Sequence, residues 1–145
     1  MTFEAPPGGG TSRIVWIDSI SGDFLLGSKK AGVLRLYNVA MPTCKEIIKV
    51  SRHGIYDIKK MSSEVFLIRL KNGQITQFNI RTKRTLFTTD VGHQHQIQRT
   101  VIHPRNCDDM VSAGFDGTVR KWNLKNMQME LMFEDRKAQG RDCVI

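Results

Sequence analysis

The sequence is poor in residues that could crosslink it. It holds three cysteines among 145 residues, Cys44, Cys107 and Cys143, and no pair has the CxxC spacing. An odd, scattered set argues against a disulfide framework and fits a reducing compartment. We therefore expect an intracellular, cytoplasmic protein.

Long apolar segments are also lacking. The longest unbroken apolar runs, of which Val65–Ile68 is one, are far shorter than the roughly 20 residues of a membrane-spanning helix. Residues 1–12 are rich in proline and glycine and show neither the basic start nor the apolar core of a secretory signal. We expect residues 1–12 to be a flexible lead-in and the protein to have no membrane partner.

Acidic residues are scarce relative to basic ones. There are 14 Asp and Glu against 22 Lys and Arg, which gives a net charge of +8. The excess is concentrated between Ser51 and Arg105. A basic surface of this kind attracts phosphate backbones or acidic protein surfaces.

A short pattern occurs three times. In Gly32–Asn38, Gly73–Asn79 and Gly117–Asn123, a glycine stands five residues before an aromatic residue (Tyr37, Phe78 or Trp122) that asparagine follows. The three glycines lie 41 and 44 residues apart, as 73 − 32 and 117 − 73. A period of about 40–45 residues is typical of four-stranded propeller blades.

The third copy is the most complete. Asp116-Gly117 forms a hairpin-turn signal between two alternating segments, and the pair Gly92-His93 lies upstream. Together these features resemble the WD-repeat β-propeller family, whose blades carry a Gly-His…Trp-Asp pattern. The resemblance implies an all-β, partial β-propeller of three four-stranded blades plus the first strand of a fourth. The expected segments are 13–50, 51–90 and 91–134 for the blades, then 135–145 for a linker and the opening strand.

Turn residues divide each blade into four expected strands. They are 14–18, 24–28, 33–39 and 46–50, then 55–58, 65–70, 74–80 and 85–89, then 97–102, 110–113, 118–124 and 129–133. A propeller closes with about four to eight blades. We therefore expect the missing blades to be supplied either in the same longer polypeptide, which we favour, or by further copies of the chain.

Four polar residues fill positions at which WD-repeat proteins form a hydrogen-bonded tetrad: His93, Ser112, Asp116 and Trp122. The resemblance implies a relay from the Trp122 N–H to Ser112, from Ser112 to His93, and from His93 to Asp116. Such a trio could also suggest a hydrolase. However, Ser112 lies inside a predicted strand, without the G-x-S-x-G elbow that exposes a nucleophile. We expect no catalytic residues, no enzyme activity and no cofactor.

The first two blades depart from this pattern. Five residues before their turn glycines they have Gly27 and Ile68 where the third blade has Ser112, and in place of Asp116 they have Ala31 and Asn72. We expect these blades to depend on apolar packing.

A metal site is the alternative use of the histidines. His93, His95, His103 and Cys107 are ligand types that zinc prefers. Their spacing matches no standard finger, and we interpret them as loop residues, with no metal bound.

The last candidate is a basic rim. Loops joining strands one to two and three to four leave a blade on the same side, so we expect the basic residues of these loops in the second and third blades to gather there. They are Lys59, Lys60, Arg81, Lys83, Arg84, Arg105 and Lys125. The main function hypothesis is a protein-interaction scaffold with protein partners. The alternative is a propeller that binds nucleic acid or phosphate through the rim, although no base-stacking aromatics are interleaved with these charges.

Overall fold

Every regular element in the described part of the chain is a β-strand. The computed structural model describes residues 10–18, 20–89 and 93–134. The strands are β1 Thr11–Asp18, β2 Asp23–Ser28, β3 Val33–Asn38, β4 Met41–Lys49, β5 Ile55–Lys60, β6 Val65–Leu70, β7 Ile75–Asn79, β8 Arg84–Thr88, β9 Ile97–Ile102, β10 Asp109–Gly114, β11 Thr118–Asn123 and β12 Gln128–Glu134.

The strands form three antiparallel meanders of four. We call them sheet A (β1–β4), sheet B (β5–β8) and sheet C (β9–β12). Two compact units contain them. The first includes sheets A and B (residues 1–71 and 75–88), and the second includes sheet C together with residues 72–74.

Three strand boundaries differ by two residues or more from those expected. Strand β1 starts at Thr11, inside the expected lead-in, and β5 continues through Lys60. Strand β4 starts at Met41, so the turn expected around Pro42 is part of a strand. Because β4 pairs only with β3 and has a register shift near its start, the missing N–H of Pro42 costs no ladder bond. The opening strand expected within 135–145 lies outside the described residues.

The repeated glycines occupy turns that other residues rarely tolerate. Gly32, Gly73 and Gly117 have φ values of 58°, 85° and 73°, in the left-handed region that favours glycine. A Cβ on Gly32 would also meet backbone oxygens of Ser51 and His53 at 2.4 Å. The repeat therefore marks a hairpin turn in each sheet.

The aromatic residues of the repeat are all buried. Tyr37, Phe78 and Trp122 lie on the third strand of their sheets. In each case the paired residue on the second strand is apolar: Phe24, Phe66 and Met110, respectively. The repeat thus places an equivalent apolar pair in every sheet.

Sheets A and B share one hydrophobic core within the first unit. Sheet A contributes Leu25, Leu34 and Ile48. Sheet B contributes Ile55, Ile58, Phe66, Ile68, Leu70 and Phe78. One face of sheet A therefore packs against one face of sheet B.

The close approach of these two sheets depends on Gly27 in β2. A Cβ built there would lie 2.9 Å from Ile55 Cγ2, 3.0 Å from Ile58 Cδ1 and 2.6 Å from Ser12 Oγ. These distances are shorter than ordinary carbon contacts of about 3.5–4.0 Å. Glycine is needed here because the packed sheets leave no space for a side chain.

We expect Gly27→Val to destabilise the first unit by about 1–3 kcal/mol, the usual cost of forcing extra carbon atoms into a packed core. Guanidinium unfolding of wild type and variant measures this change. Lys30→Val, in the exposed turn after β2, is the matched control and should change stability by less than about 0.5 kcal/mol. Equal losses for both variants would contradict this role for Gly27.

Candidate functional site

The four tetrad residues come together in the second unit. Ser112 lies on β10 and Trp122 on β11. Asp116 lies in the β10–β11 turn, and His93 lies in the segment before β9. All four are buried.

Three hydrogen bonds join them in the order that the sequence suggested. Trp122 Nε1 donates to Ser112 Oγ at 2.7 Å, and Ser112 Oγ lies 2.7 Å from His93 Nε2. His93 Nδ1 lies 2.9 Å from Asp116 Oδ1. Because Ser112 accepts from Trp122, its own proton is available for His93 Nε2, which assigns the remaining ring proton to Nδ1, facing Asp116.

Further residues extend this network, and two of them lie on β11. Thr118 donates to Asp116 Oδ1 through both its backbone N, at 3.1 Å, and its hydroxyl, at 2.8 Å. Arg120 Nε donates to Thr118 Oγ1 at 3.1 Å. Sequence reasoning missed both, although their alternate positions on β11 place them on the same side as Trp122.

The imidazole fits because a glycine stands beside it. A Cβ on Gly114 would lie 2.4 Å from His93 Nδ1 and 2.8 Å from Asp116 Oδ1. Gly114 therefore leaves the space through which the histidine reaches the turn carboxylate.

The network also determines the protonation states of Asp116 and His93. Burial opposes ionisation of Asp116, but hydrogen bonds from His93 and Thr118 outweigh it and lower the pKa to about 2. Burial lowers the pKa of His93, and the opposing effect of Asp116 does not reverse this shift. Near neutral pH the pair is therefore a carboxylate with a neutral imidazole.

These two pKa shifts predict how acid affects stability. An ordinary histidine has a pKa of about 6.5. Below that pH the unfolded chain takes up a proton before His93 does in the folded chain, so stability falls. Below about pH 4, Asp116 is protonated more readily in the unfolded chain than in the folded one, so stability falls again. A pKa lowered by about two corresponds to about 2–3 kcal/mol of folding free energy.

We therefore expect the stability advantage of wild type over Asp116→Asn to narrow as the pH falls below about 4. Denaturant unfolding of both proteins from pH 7 to pH 3 measures the difference between their free energies of unfolding. The control is Asp109→Asn on β10, which lies outside the network. A constant difference between wild type and Asp116→Asn would contradict the pKa assignment.

Ser112 has little capacity for chemistry. Its residue exposure is 0%, and its hydroxyl is already engaged by Trp122 and His93. A nucleophile must reach a substrate carbonyl, with its base free to take the proton. The arrangement instead ties the β10–β11 turn to the segment before β9.

The corresponding positions of sheets A and B are apolar. Ser112 pairs with Arg120, and the equivalent pairs are Ile68 with Thr76 and Leu26 with Arg35. The prediction that Gly27 corresponds to Ser112 was therefore wrong by one position. The β2–β3 turn is one residue longer, so counting back from the turn glycine gives the wrong register.

The histidines and cysteines do not gather into a metal site. In the ranges that the structure describes, no group of three or more His, Cys, Asp or Glu residues is arranged to hold a metal. His103 Nδ1 instead accepts hydrogen bonds from the backbone N–H groups of Arg105 and Asn106. Cys44 and Cys107 are exposed free thiols.

Part of the basic rim differs from the prediction. Lys59 and Lys60 lie on β5, where they pair with Leu67 and Phe66, and not in a loop. Lys60 is exposed at the end of β5, whereas Lys59 is only partly exposed. Lys60 Nζ donates to the Ile17 carbonyl oxygen at 2.5 Å.

Two other rim residues have acidic partners. Arg81 Nη1 lies 2.9 Å from Glu64 Oε1, and Lys83 forms an ion pair with Glu46 of β4. Arg84 is exposed and begins β8, while Arg105 and Lys125 are exposed in loops of the second unit. More of the positive charge is therefore neutralised than the sequence suggested.

No helix with the length and apolar character of a membrane span occurs in the part of the chain that the structure describes.

Comparisons with known proteins identify the fold. The chain superposes on the WD40 β-propeller domain of Doa1 with a TM-score of 0.72 and 17% identity, covering 84% of this chain and 40% of that one. The fold is that of part of a WD40 β-propeller. The predicted all-β fold with four-stranded blades is thereby confirmed.

Two other proteins are also similar to this chain. The computationally designed Ika4 protein gives a TM-score of 0.70 at 15% identity, with 97% of this chain and 80% of that one covered. The rice (Oryza sativa subsp. japonica) Polycomb group protein FIE1 is 26% identical over 117 residues, or 77% of this chain. No family model matches. The chain spans only 25% of the rice protein's length.

Proposed function

We propose that this chain is a non-enzymatic part of a WD40 propeller that acts as a protein-interaction scaffold. The main support for this proposal is the burial of Ser112 and His93. These residues, with Asp116, most resemble a catalytic site, but their hydrogen bonds stabilise the fold instead. What is left for function is the surface of the blades. The WD40 fold of Doa1 and the rice Polycomb relative support the same reading.

Two finer statements belong to the same proposal. The order Ser21–Phe24, Gly32–Val39, Gly92-His93 and Ser112–Thr118 resembles a segment of WD repeat-containing protein seventeen, and we propose that this chain is related to that protein. We also propose a cytoplasmic location. The free thiols of Cys44 and Cys107 support it because exposed thiols persist in reducing compartments.

The alternative function is binding of nucleic acid or phosphate through the basic rim. Arg84, Arg105 and Lys125 favour it, since their side chains are exposed. The ion pairs of Arg81 and Lys83 weaken it, because a cation already paired with a carboxylate releases fewer counterions on binding.

The two functions predict different effects of nuclease and salt. We expect protein partners crosslinked to the tagged chain in cells to survive nuclease treatment. We also expect a variant with Arg84, Arg105 and Lys125 changed to glutamate to recover the same partners, because exposed substitutions rarely affect the fold. Quantitative mass spectrometry of both samples measures this.

The opposite result would favour the alternative. Recovery that disappears with nuclease, falls steeply between low and high salt and is lost in the triple variant would indicate phosphate contacts. Wild type without nuclease and at low salt is the reference for each comparison.

The scaffold proposal includes the partner of one surface that is partly exposed, the outer face of sheet A, where Ile14, Trp16 and Ile47 are exposed while Leu26, Arg35 and Tyr37 are buried. Two cross-strand rows form this surface: Trp16, Phe24 and Tyr37, and Ile14, Leu26, Arg35 and Ile47. Paired residues of an antiparallel sheet point to the same side. The opposite side, with Leu25 and Leu34, already packs on sheet B.

This outer face is strongly aromatic and partly exposed. The Trp16 ring meets Phe24 edge-on at 5.8 Å between centroids, and Phe24 stacks on Tyr37 at 5.5 Å. Trp16 is 53% exposed and Ile47 is 61% exposed. Contiguous apolar area of this kind marks an interaction surface.

The repeat supports a further blade as the occupant of this face. In sheet B the equivalent pair, Phe66 and Phe78, is buried by sheet A. By the same register, Phe24 and Tyr37 of sheet A occupy the position that another blade would cover. We propose that a further four-stranded blade, with an apolar face like that of Leu25 and Leu34, covers the outer face.

Without such a blade, we expect the chain of 145 residues to self-associate through the outer face. The double variant Trp16→Glu/Ile47→Glu should shift light-scattering mass toward the monomer, because buried charge disfavours the contact. Leu86→Glu on β8, an equally exposed apolar position in the same unit, is the control and should associate as wild type does. A monomeric wild type would contradict the proposal.

A further inference from the structure

Exposed cations gather at one end of the first unit. They lie in the β2–β3 turn, at the end of β4, in the loop that follows β4, and directly after β6. We call them the basic end: Lys29, Lys30, Lys49, Arg52 and Lys71, all exposed. None of them belongs to the basic rim, whose members in this unit lie toward the opposite ends of the strands.

Backbone contacts at the buried residue Gly54 hold these segments together. A Cβ built on Gly54 would overlap the carbonyl oxygen of Lys29, so the two backbones lie in close contact. The Gly54 carbonyl oxygen accepts a hydrogen bond from the Lys71 backbone N at 2.8 Å. Lys49 Nζ donates to the Ala31 carbonyl oxygen in the β2–β3 turn at 2.6 Å. The segments of the basic end therefore form one compact surface within the first unit.

The basic end has no acidic residue. Residues 28–32, 49–54 and 70–72 include neither aspartate nor glutamate. Among the described residues, no ion pair joins any of the five cations to a carboxylate. The opposite end of the same unit differs, because Lys45 lies 3.0 Å from Asp23 and Arg81 lies 2.9 Å from Glu64. A formal charge of +5 from the identities of its residues thus makes the basic end attractive to anions.

The chemistry of the basic end favours an acidic protein segment over nucleic acid. Four of its five cations are lysines, whose ammonium is a point charge without the planar donor set of arginine that matches phosphate. Residues 28–32, 49–54 and 70–72 include no aromatic side chain on which an unpaired base stacks. An extended run of aspartate and glutamate has one carboxylate per about 3.3–3.6 Å of its length. A short acidic segment therefore brings several charges to one compact surface.

We propose that the basic end binds an extended, acidic segment of a partner protein. This inference rests on the proposed scaffold function and adds the class of the partner. The β2–β3 turn belongs to sheet A, whereas Lys71 follows β6 of sheet B. The bound segment therefore lies across the ends of both sheets.

Fluorescence anisotropy of a labelled decapeptide of alternating aspartate and glutamate tests this proposal on the full chain. We expect saturable binding that weakens as the salt concentration rises, because salt screens exposed charges. A decapeptide of alternating asparagine and glutamine should not bind. A labelled short DNA duplex at the same salt concentration should bind more weakly than the acidic peptide.

Two triple variants with equal changes in net charge locate the site. Lys30→Glu/Arg52→Glu/Lys71→Glu reverses charges of the basic end and should weaken binding of the acidic peptide by at least about tenfold. The matched control Arg81→Glu/Lys83→Glu/Arg84→Glu reverses charges at the opposite end of the same unit. Its affinity should stay within about twofold of wild type, because distant exposed charges are screened.

Thermal unfolding of each variant shows whether it is folded. If the first triple variant is unfolded, Lys30→Gln/Arg52→Gln/Lys71→Gln takes its place, because it removes the charges without reversing them. This variant should also weaken binding, by a smaller factor. Full affinity in the folded variant would overturn the proposal.

Two further results would also overturn it. Equal losses in the two triple variants would mean that net charge alone determines binding. Tighter binding of the DNA duplex than of the acidic peptide would indicate a nucleic-acid surface instead.

Failure of this inference can be distinguished from failure of the scaffold function. If the acidic peptide does not bind while crosslinked protein partners from cells survive nuclease treatment, only the class of partner is wrong. If those partners are lost on nuclease treatment, the scaffold function itself is wrong.

Discussion

Each four-stranded sheet of this molecule carries apolar side chains on both of its faces, and this constraint governs the rest of the structure. In sheet A, Leu25 and Leu34 point to one side, while Trp16 and Phe24 belong to the other. A single sheet of this kind cannot bury both of its apolar faces. Repeat folds bury such faces by stacking similar sheets against one another. The shared core of sheets A and B is one such contact.

The polar network of sheet C solves a different problem. Apolar contact is non-directional, whereas a fully paired hydrogen-bond network fixes specific atoms. In sheet C the chain from Trp122 through Ser112 and His93 to Asp116 determines the position of the turn. Sheets A and B have Leu26 and Ile68 at the position equivalent to Ser112. Their packing against each other depends on the space that Gly27 leaves. One repeat thus uses two means of holding its strands.

The sequence predicted the sheets better than it predicted side-chain environments. The spacing of Gly32, Gly73 and Gly117 is a local backbone requirement, so it can be read from the chain alone. The ion pair of Lys83 with Glu46 joins residues of different sheets, and no local pattern shows it. The extra residue in the β2–β3 turn changed the register at Leu26. The half-buried Lys59 was unexpected because a lysine favours solvent.

The tetrad residues could be predicted because the WD-repeat resemblance implies a role for each of the four positions that they fill. Thr118 and Arg120 were missed because the four-residue pattern does not include their positions, although both bond to the network. The basic end could not be found in this way, because contacts at Gly54 join segments that are distant in sequence. Whether a charged side chain has a partner depends on its neighbours in space.

The placement of the two tryptophans has a practical consequence for spectroscopy. Trp16 lies in the first unit and is half exposed, whereas Trp122 lies in the second and donates its indole N–H inside a buried network. Indole emission depends on the polarity around the ring, so the two tryptophans should differ in the wavelength of their emission maximum and in their access to a soluble quencher. A single unlabelled sample can therefore report on the two units separately, without an engineered probe.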